Sequence, residues 1–456
     1  MVRVWGPHSQ ESHGGLGATG SMGVKLKAIT LLLLLALMLL PACDIGSQPP
    51  DASTHEAKMV EQATVKPSPT TEAQDVGKPA ETQRQDKIFS RYSCTEDGTK
   101  PFTSPFFPTD LITEILPMGK VSATSGHVTP TDHLYVHRDV PAGADIEYVL
   151  APADGAIVHI QRFNQDKLLD RENQSSPMVP DYRLIFMHSC TFFTIFIHLG
   201  ELAPAVAEKT GEIPFGDSWL SNKSVPIQVK AGEPIAKFGQ LGNDWSVHDA
   251  NSTLAGFVVP EHYEGGEPWK IHTVDPFQFY DEPLKSDLLS KVVRKVEPRA
   301  GKIDYDVEGT IAGNWFMEGT VDYSGNVDPG TPRYWNGHLS IAYGYIDPTQ
   351  VRIAIGFDTG INDNLYCRVC NGAYGVRGNE PDPMTVGPES GLVKYELMSR
   401  RDEGFEDAIR EQLGTTSLGT FLVQHLGDRT IRIEVIAGKA PDEVPGFSDA
   451  SLIYRR

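Results

Sequence analysis

The segment Val149-Leu-Ala-Pro-Ala-Asp-Gly-Ala-Ile-Val158 sets two apolar runs on either side of a Pro-Ala-Asp-Gly turn. Short apolar runs separated by Gly, Pro and Asp are typical of β-strands. Further runs of this kind lie downstream, at Arg183–Met187, Phe192–Ile197, Ile227–Val229 and Pro234–Phe238. We therefore predict a hairpin at 149–158, within a β-sheet domain that extends over residues 88–285.

A second set of alternating runs follows residue 300 and continues to the C-terminus. The runs are Leu339–Tyr343, Val351–Ile355, Leu392–Leu397, Phe421–Gln424 and Ile431–Val435. Their alternation predicts a second β-rich domain over residues 300–456, built as a barrel or a sandwich. Within it, Glu403–Leu413 has the apolar spacing of an amphipathic helix. The predicted fold class is all-β.

The first 43 residues have the features of an export signal. Lys25 and Lys27 precede an apolar run of about 13 residues, shorter than the roughly 20 residues of a membrane-spanning helix. The following Leu40-Pro-Ala-Cys43 resembles the lipobox of bacterial lipoproteins, which implies lipidation of Cys43. A plain signal peptide cut near Ala42 is the alternative. Met22 stands where such a signal normally begins, so we expect translation to start there.

Residues 44–87 contain no aromatic side chain and are rich in Pro, Thr, Glu, Gln and Ala. Such a composition cannot bury enough apolar surface to offset the entropy of the chain, so it predicts a flexible tether. A lipid-anchored protein on this tether would work outside the cytoplasmic membrane, facing the cell envelope.

The charge balance and the cysteines narrow the range of partners and compartments. The 60 acidic residues exceed the 40 basic ones, which gives a formal net charge of -20. Because nucleic-acid binding needs a basic surface, we exclude a nucleic-acid partner. Cys94, Cys190, Cys367 and Cys370 follow Cys43, and this even number predicts disulfides in an oxidising compartment. For Cys367-Arg-Val-Cys370 a local disulfide is favoured over half of a zinc ribbon or a redox motif.

Four segments follow the 149–158 stretch at strand spacings: Thr194-Ile-Phe-Ile-His198-Leu-Gly-Glu-Leu202, Val229-Lys-Ala-Gly-Glu-Pro-Ile-Ala-Lys-Phe-Gly239, Val247-His248 and Val274-Asp-Pro276. This series resembles the core of the LytM-like, lysostaphin-type zinc metallopeptidases over residues 120–282. The resemblance implies a β-sheet domain with a duplicated hybrid motif. It also implies a Zn2+ ion with three protein ligands and an open position for a water that attacks a peptide carbonyl.

The site residues of that family can be placed on this chain one by one. An H-x-x-x-D motif supplies two zinc ligands in the family, and the last His of an H-x-H motif supplies the third. The resemblance thus implies His127, Asp132 and His248 as metal ligands. His198 matches the histidine that orients the water or stabilises the oxyanion, and is the implied catalytic residue.

The chain departs from the family pattern at several of these positions. His127 lies one residue out of register with Asp132, so it can be a ligand only if the loop around Pro130 bulges. His133 is an alternative, but adjacent strand residues point to opposite faces, so Asp132 and His133 should not both face one metal. Ser246 replaces the first His of H-x-H and cannot act as an imidazole base.

Two further observations weaken the prediction of an enzyme. Asp249 stands where the family has an aromatic residue, and the loss of an assisting imidazole costs a factor of roughly 10² to 10⁴ in rate. His137, His159 and His188 receive no role. A metal-free polar cluster is the alternative to a zinc site.

Gly313-Asn-Trp315 opens the second domain with a Gly-x-Trp sequence, and Arg432 lies near its last strand. This pairing resembles lipocalin-type barrels, in which a Trp and a late Arg pack across the closed end. Trp315, Tyr334 and Trp335 are candidates for a ligand mouth, with core packing as the alternative.

These observations predict three alternative functions. The first is a membrane-anchored lipoprotein whose LytM-like domain binds peptidoglycan or another cell-envelope partner, with weak or no catalysis. The second is an active zinc metalloendopeptidase that cuts peptidoglycan. The third is a carrier of an apolar ligand through the C-terminal barrel.

Overall fold

The computed structural model describes residues 94, 96–122, 127–138, 147–163, 167–168, 178–220, 226–239, 242–325, 334–357, 361, 372–400 and 413–456. Cys43, the tether, the Cys367–Cys370 pair and residues 403–412 of the predicted helix lie outside these residues. The described residues belong to one compact unit. No helix in the described ranges combines the length and the apolar character that a bilayer crossing requires.

The first β-rich region contains strands β1 to β13. Their bounds are β1 Ile112–Leu116, β2 Leu134–Arg138, β3 Tyr148–Leu150, β4 Gly155–Arg162, β5 Lys167–Leu168, β6 Met178–Val179, β7 Tyr182–Met187, β8 Phe192–Leu199, β9 Ser218–Leu220, β10 Ile227–Val229, β11 Pro234–Lys237, β12 Asn243–Asp249 and β13 Thr273–Val274. The α-helices are α1 Pro204–Thr210 and α2 Leu284–Lys291. Short 3-10 helices lie at Thr109–Leu111, Pro260–Tyr263, Lys270–His272, Pro276–Phe279, Asp322–Ser324, Tyr334–Gly337, Arg377–Asn379, Pro383–Thr385, Pro388–Ser390 and Pro441–Glu443.

A nine-stranded sheet with the central order β1-β2-β12-β8-β7-β4-β10 forms the frame of this region; β13 pairs with β12, and β9 pairs with β4. Strand β12 lies between β2 and β8 and is antiparallel to both. Trp245 and Val247 of β12 pack into the main hydrophobic core. Because side chains alternate along a strand, Asp244, Ser246 and His248 point to the opposite face.

The predicted hairpin at 149–158 is wrong, although its two runs are strands. β3 pairs with β11, whereas β4 pairs with β7, β9 and β10. The bend between β3 and β4 therefore carries the chain from one sheet to another. Gly155 is required there because a Cβ atom would lie 2.3 Å from the carbonyl oxygen of Met187.

The segments 149–158 and 229–239 contact each other at this bend. The carboxylate of Asp154 accepts hydrogen bonds from the backbone N–H of Ala231 at 3.0 Å and from Nζ of Lys230 at 2.7 Å. The Pro-Ala-Asp-Gly bend thus supports the turn between β10 and β11.

The second β-rich region is a closed barrel rather than a sandwich. Its strands are β14 Gly313–Met317, β15 His338–Tyr343, β16 Val351–Ile355, β17 Gly372–Val376, β18 Val393–Arg400, β19 Leu413–Gly427, β20 Thr430–Ala437 and β21 Leu452–Arg455. Each strand is antiparallel to the next, and β14 pairs with β21 to close the barrel. The interior is filled by a contiguous apolar cluster that includes Trp315.

The arginine that packs against Trp315 is Arg456, not Arg432 as the sequence suggested. The guanidinium carbon of Arg456 lies 4.1 Å from the centroid of the Trp315 ring, and its nitrogens donate to the carbonyls of residues 307, 310 and 312. Arg432 instead donates to Ser451 Oγ and packs on Phe447. The prediction failed because the side chain of Arg432 points away from the interior of the barrel.

The other aromatic residues proposed for a ligand mouth are not seen in that role. Trp335 packs against a small cluster of Val121, Val128, Ala354 and Ala373. The side chain of Tyr334 lies outside the described residues.

The barrel and the first region share a core. Phe316 and Tyr323 belong to the main hydrophobic cluster of the first region. Asn314 Nδ2 donates to Tyr263 Oη at 2.9 Å, and the side chain of Tyr323 donates to Glu267 Oε2 at 2.6 Å. The loop that holds Tyr323 therefore reaches the surface on which the candidate site lies.

A disulfide joins Cys94 to Cys190, which confirms the predicted use of cysteine for this pair. The bond ties the start of the described chain to the turn between β7 and β8.

Candidate functional site

A cavity of about 160 Å³ lies on the face of the sheet to which the alternate residues of β8 and β12 point. Its acidic and imidazole-bearing lining residues are His127, Asp132, His133, His198, Asp244 and Glu267. Ile195, Ile197, Phe163, Trp269 and Tyr323 add apolar surface, and Arg183 and Lys270 add positive charge. The cavity therefore combines both signs of charge with an apolar wall.

The structure brings three of the four predicted site residues into this cavity. His127 and Asp132 lie in the loop that precedes β2, and His198 lies near the end of β8. The predicted third ligand, His248, is fully buried and does not line the cavity. His248 is hydrogen-bonded to Ser246, and Ser246 lines the cavity.

The expectation that Asp132 and His133 face opposite sides is wrong. Both residues line the cavity, and Asp132 Oδ1 lies 3.1 Å from His133 Nδ1. They precede β2, which begins at Leu134, so the alternation of a strand does not apply to them. The same irregular backbone lets His127 reach the cavity despite its shifted register.

Carboxylates and imidazoles alternate across the cavity in a chain of five side chains. Beyond the Asp132–His133 pair, His133 Nε2 lies 3.4 Å from Asp244 Oδ2, and His198 Nε2 lies 3.6 Å from the same oxygen. His198 Nδ1 in turn lies 3.1 Å from both carboxylate oxygens of Asp181. We refer to Asp132, His133, Asp244, His198 and Asp181 as the carboxylate–imidazole chain.

The electrostatics of the chain favour a protonated His133. Burial alone would lower the pKa of His133, but the carboxylates of Asp244 and Asp132 outweigh it and raise that pKa. Burial would also raise the pKa of Asp132, yet the His133 hydrogen bond and the charge of Lys270 hold that pKa well below its usual value. The two carboxylates therefore favour the protonated, positively charged form of His133.

His127 differs from His133 in its charge state. Burial lowers the pKa of His127 well below its ordinary value, and the positive charges of His133 and Lys270 add to the effect. Its ring packs edge-on to that of His133, with 5.3 Å between centroids. His127 is thus a neutral imidazole at neutral pH.

His198 is held in an unusual backbone conformation. Its φ of 63° lies in the left-handed region, which non-glycine residues seldom adopt. Asn243 Nδ2 donates to the carbonyls of Ile197 and His198, at 3.0 and 2.9 Å, and so supports this conformation. With 39% of its side chain exposed, His198 is the most exposed member of the carboxylate–imidazole chain.

Both ring nitrogens of His248 are hydrogen-bonded. Nδ1 lies 3.1 Å from the carbonyl oxygen of Trp269, which only a protonated Nδ1 can satisfy, and Nε2 lies 2.8 Å from Ser246 Oγ. The ring stacks on Phe193 at 4.8 Å. Burial lowers the pKa of His248 to about 4, so the ring is neutral at neutral pH.

The histidines that received no role have structural partners. His188 is buried, and its Nε2 lies 2.8 Å from Thr194 Oγ1. His137, on β2, lies 3.1 Å from Glu114 of β1. His159 lies on β4, within the sheet. None of the three lines the cavity.

The predicted zinc ligands do not fit a metal ion as they are arranged. The Nε2 lone pair of His248 accepts from Ser246, and Asp132 is hydrogen-bonded to His133. Among the residues that the structure describes, no group of three or more His, Cys, Asp or Glu side chains has a geometry that could hold a metal ion. We therefore derive no chemistry through zinc.

Sequence reasoning missed several cavity residues. Asp244 lies two residues before Ser246 and four before His248, so the period of a strand could have placed it on their face. Glu267 and Lys270 carry no such signal, since they come from segments that only the tertiary fold brings to the cavity. Asp181, which contacts His198 from behind the cavity lining, carries none either.

Known proteins offer no further guide to this site. No model of a known protein family matches the chain, and no curated protein matches it either.

Proposed function

We propose that the chain is an extracytoplasmic lipoprotein, anchored to the cell membrane through Cys43, whose LytM-like β-domain binds the peptide part of peptidoglycan. In this proposal the first region is a divergent duplicated hybrid motif that keeps the scaffold of the metallopeptidases. It binds with weak or no catalysis, and it has no nucleic-acid partner.

One observation carries the proposal. Three of the four residues that match the family's site, His127, Asp132 and His198, line one cavity. Asp132 is hydrogen-bonded to His133, and Nε2 of His248 is hydrogen-bonded to Ser246. His133 lies between Asp132 and Asp244, and these carboxylates favour its positively charged form, so the chain itself can place positive charge between them. Such a cavity has charges of both signs and aromatic walls. It is better suited to binding a polar peptide than to hydrolysing one.

Two other observations support the compartment and the site of function. The Cys94–Cys190 disulfide is typical of proteins that work in an oxidising environment. The apolar interior of the barrel is filled by its own side chains, which favours the first region over the barrel as the binding part.

The proposal is tested by co-sedimentation of the full chain, in detergent, with purified peptidoglycan. We expect the wild type to sediment with the wall without solubilising it. Trp269→Ala, which removes an aromatic side of the cavity, should reduce sedimentation, whereas Trp219→Ala, a half-buried tryptophan on β9 that does not line the cavity, should not. Equal sedimentation of both variants would contradict the proposal, and release of soluble wall peptides would favour the peptidase.

A further inference from the structure

Lys270 places an ammonium group in the cavity without a hydrogen-bond acceptor among the described residues. Only 2% of the residue is exposed, and it lines the cavity. Within the described residues, its Nζ has neither a hydrogen-bond acceptor nor a carboxylate at salt-bridge distance. Its one close partner there is the Tyr323 ring, whose centroid lies 5.4 Å away.

The position of Lys270 is fixed by its backbone. Lys270 N–H donates to the carbonyl of Glu267 at 2.9 Å, and its own carbonyl accepts from Thr273 Oγ1 at 2.8 Å. The preceding carbonyl, of Trp269, is hydrogen-bonded to His248 of β12. The backbone that carries Lys270 is therefore hydrogen-bonded on both sides of the residue.

The charge of Lys270 acts on Asp132 through space, without a hydrogen bond between them. A buried charge without a hydrogen-bonded partner is costly, and an anionic group of a ligand would supply that partner. Resting on the proposed function, we propose that Lys270 is the binding residue for a carboxylate of the ligand. The carboxylate is that of the terminal amino acid of a peptide, bound with its side chain against the apolar wall of Ile195 and Ile197.

Charge and size select this ligand class. Asp132, Asp244 and Glu267 also line the cavity, so a dianion such as inorganic phosphate would meet about twice the repulsion that a single carboxylate meets. A cavity of about 160 Å³ is smaller than the sites of roughly 300 to 1,000 Å³ that take drug-sized ligands. It is therefore suited to one small residue at a chain end.

Binding is measured by isothermal titration of the full chain in detergent with the dipeptide alanyl-alanine, its C-terminal amide and inorganic phosphate. We expect the amide to bind about 10- to 100-fold more weakly than the acid, because it lacks the charge that pairs with Lys270. Lys270→Met should bind acid and amide equally weakly. Lys230→Met, which removes an exposed lysine paired with Asp154, should leave the preference intact.

Thermal unfolding provides a second readout that does not require a ligand. Because Lys270→Met removes a buried charge that has no hydrogen-bond acceptor among the described residues, and keeps the length of the side chain, the variant should unfold at a higher temperature than the wild type. A lower unfolding temperature would show that the ammonium is paired within the protein, and would overturn the inference.

The outcomes separate this inference from the proposed function. If peptidoglycan binds the wild type and Lys270→Met equally, or if phosphate binds more tightly than the acid, the carboxylate site is wrong and the proposed function stands. If the acid binds through Lys270 but peptidoglycan does not bind, the site stands and the function is wrong. If none of them binds, both are wrong.

Discussion

His248 Nε2 lies 2.8 Å from the Oγ of Ser246, two residues earlier on the same face of β12. The hydroxyl therefore donates a hydrogen bond to the Nε2 lone pair through which His248 would have to bind zinc. We expect the purified wild type and His248→Ala to contain the same trace of zinc per chain, measured by atomic emission. Stoichiometric zinc that is lost in His248→Ala would contradict the arrangement described here.

The same relationship predicts the result of restoring the family residue. Ser246→His supplies the missing imidazole but leaves Asp132 paired with His133, so we expect no peptidase activity after incubation with zinc. The measurement is the release of soluble peptides from peptidoglycan. Activity in Ser246→His, absent from a Ser246→Ala control, would show that a single imidazole separates this chain from a working enzyme.

Removal of His133 should destabilise the protein strongly. His133→Phe leaves the buried carboxylates of Asp132 and Asp244 without their shared cation, at a cost of about 3 to 5 kcal/mol in the free energy of unfolding. His137→Phe breaks a more exposed pair with Glu114 and should cost about 1 kcal/mol or less. Denaturant unfolding of both variants measures the difference, and equal losses would argue against a charged His133.

Acid should weaken the fold through its buried histidines. Burial lowers the pKa of His188 to about 3, below the value of about 6.5 in the unfolded chain. Because the unfolded state binds the proton first, the stability from a neutral His188 is complete above pH 6.5 and is lost as the pH falls toward 3. His188→Gln should remove about 3 kcal/mol of the loss between pH 8 and pH 4.

The measurement is the free energy of unfolding between pH 4 and 8, for the wild type and His188→Gln. His137→Gln, a half-buried histidine on the edge pair β1 and β2, is the matched control. A pH profile of His188→Gln that is parallel to that of the wild type would contradict the burial of a neutral ring.

The disulfide should contribute substantially to stability. Cys94 and Cys190 are separated by 96 residues in the chain, and a loop of that length favours a large loss of unfolded-state entropy. We expect Cys94→Ala combined with Cys190→Ala to cost about 2 to 5 kcal/mol. Denaturant unfolding with and without a reducing agent measures it, and the reducing agent should change the double variant much less than the wild type.

The two arginines near the barrel end should differ sharply. Arg456 is buried on Trp315, and Asp306 Oδ1 lies 3.7 Å from its guanidinium. Arg456→Met should cost about 3 kcal/mol or more, because it leaves a buried carboxylate and three carbonyls without their donor. Arg432→Met, on a more exposed arginine, should cost about 1 kcal/mol or less. Thermal unfolding compares them, and equal effects would exclude Arg456 as the structural partner of Trp315.

Residue patterns alone determined much of the local structure. The apolar runs at 183–187, 192–197 and 351–355 are strands because alternation and β-branched side chains depend on near neighbours in the chain. Asp132, His127 and His198 were placed at one site by a motif comparison, and the fold brings them to one cavity. Their chemistry stays a prediction.

Only the tertiary structure decided how these pieces pair. The 149–158 segment reads as a hairpin, yet its strands join different sheets, since strand pairing depends on distant partners such as β7 and β11. Arg456 rather than Arg432 covers Trp315 for the same reason. The carboxylate–imidazole chain and Lys270 come from segments far apart in sequence, so their charges act on one another only in the folded protein.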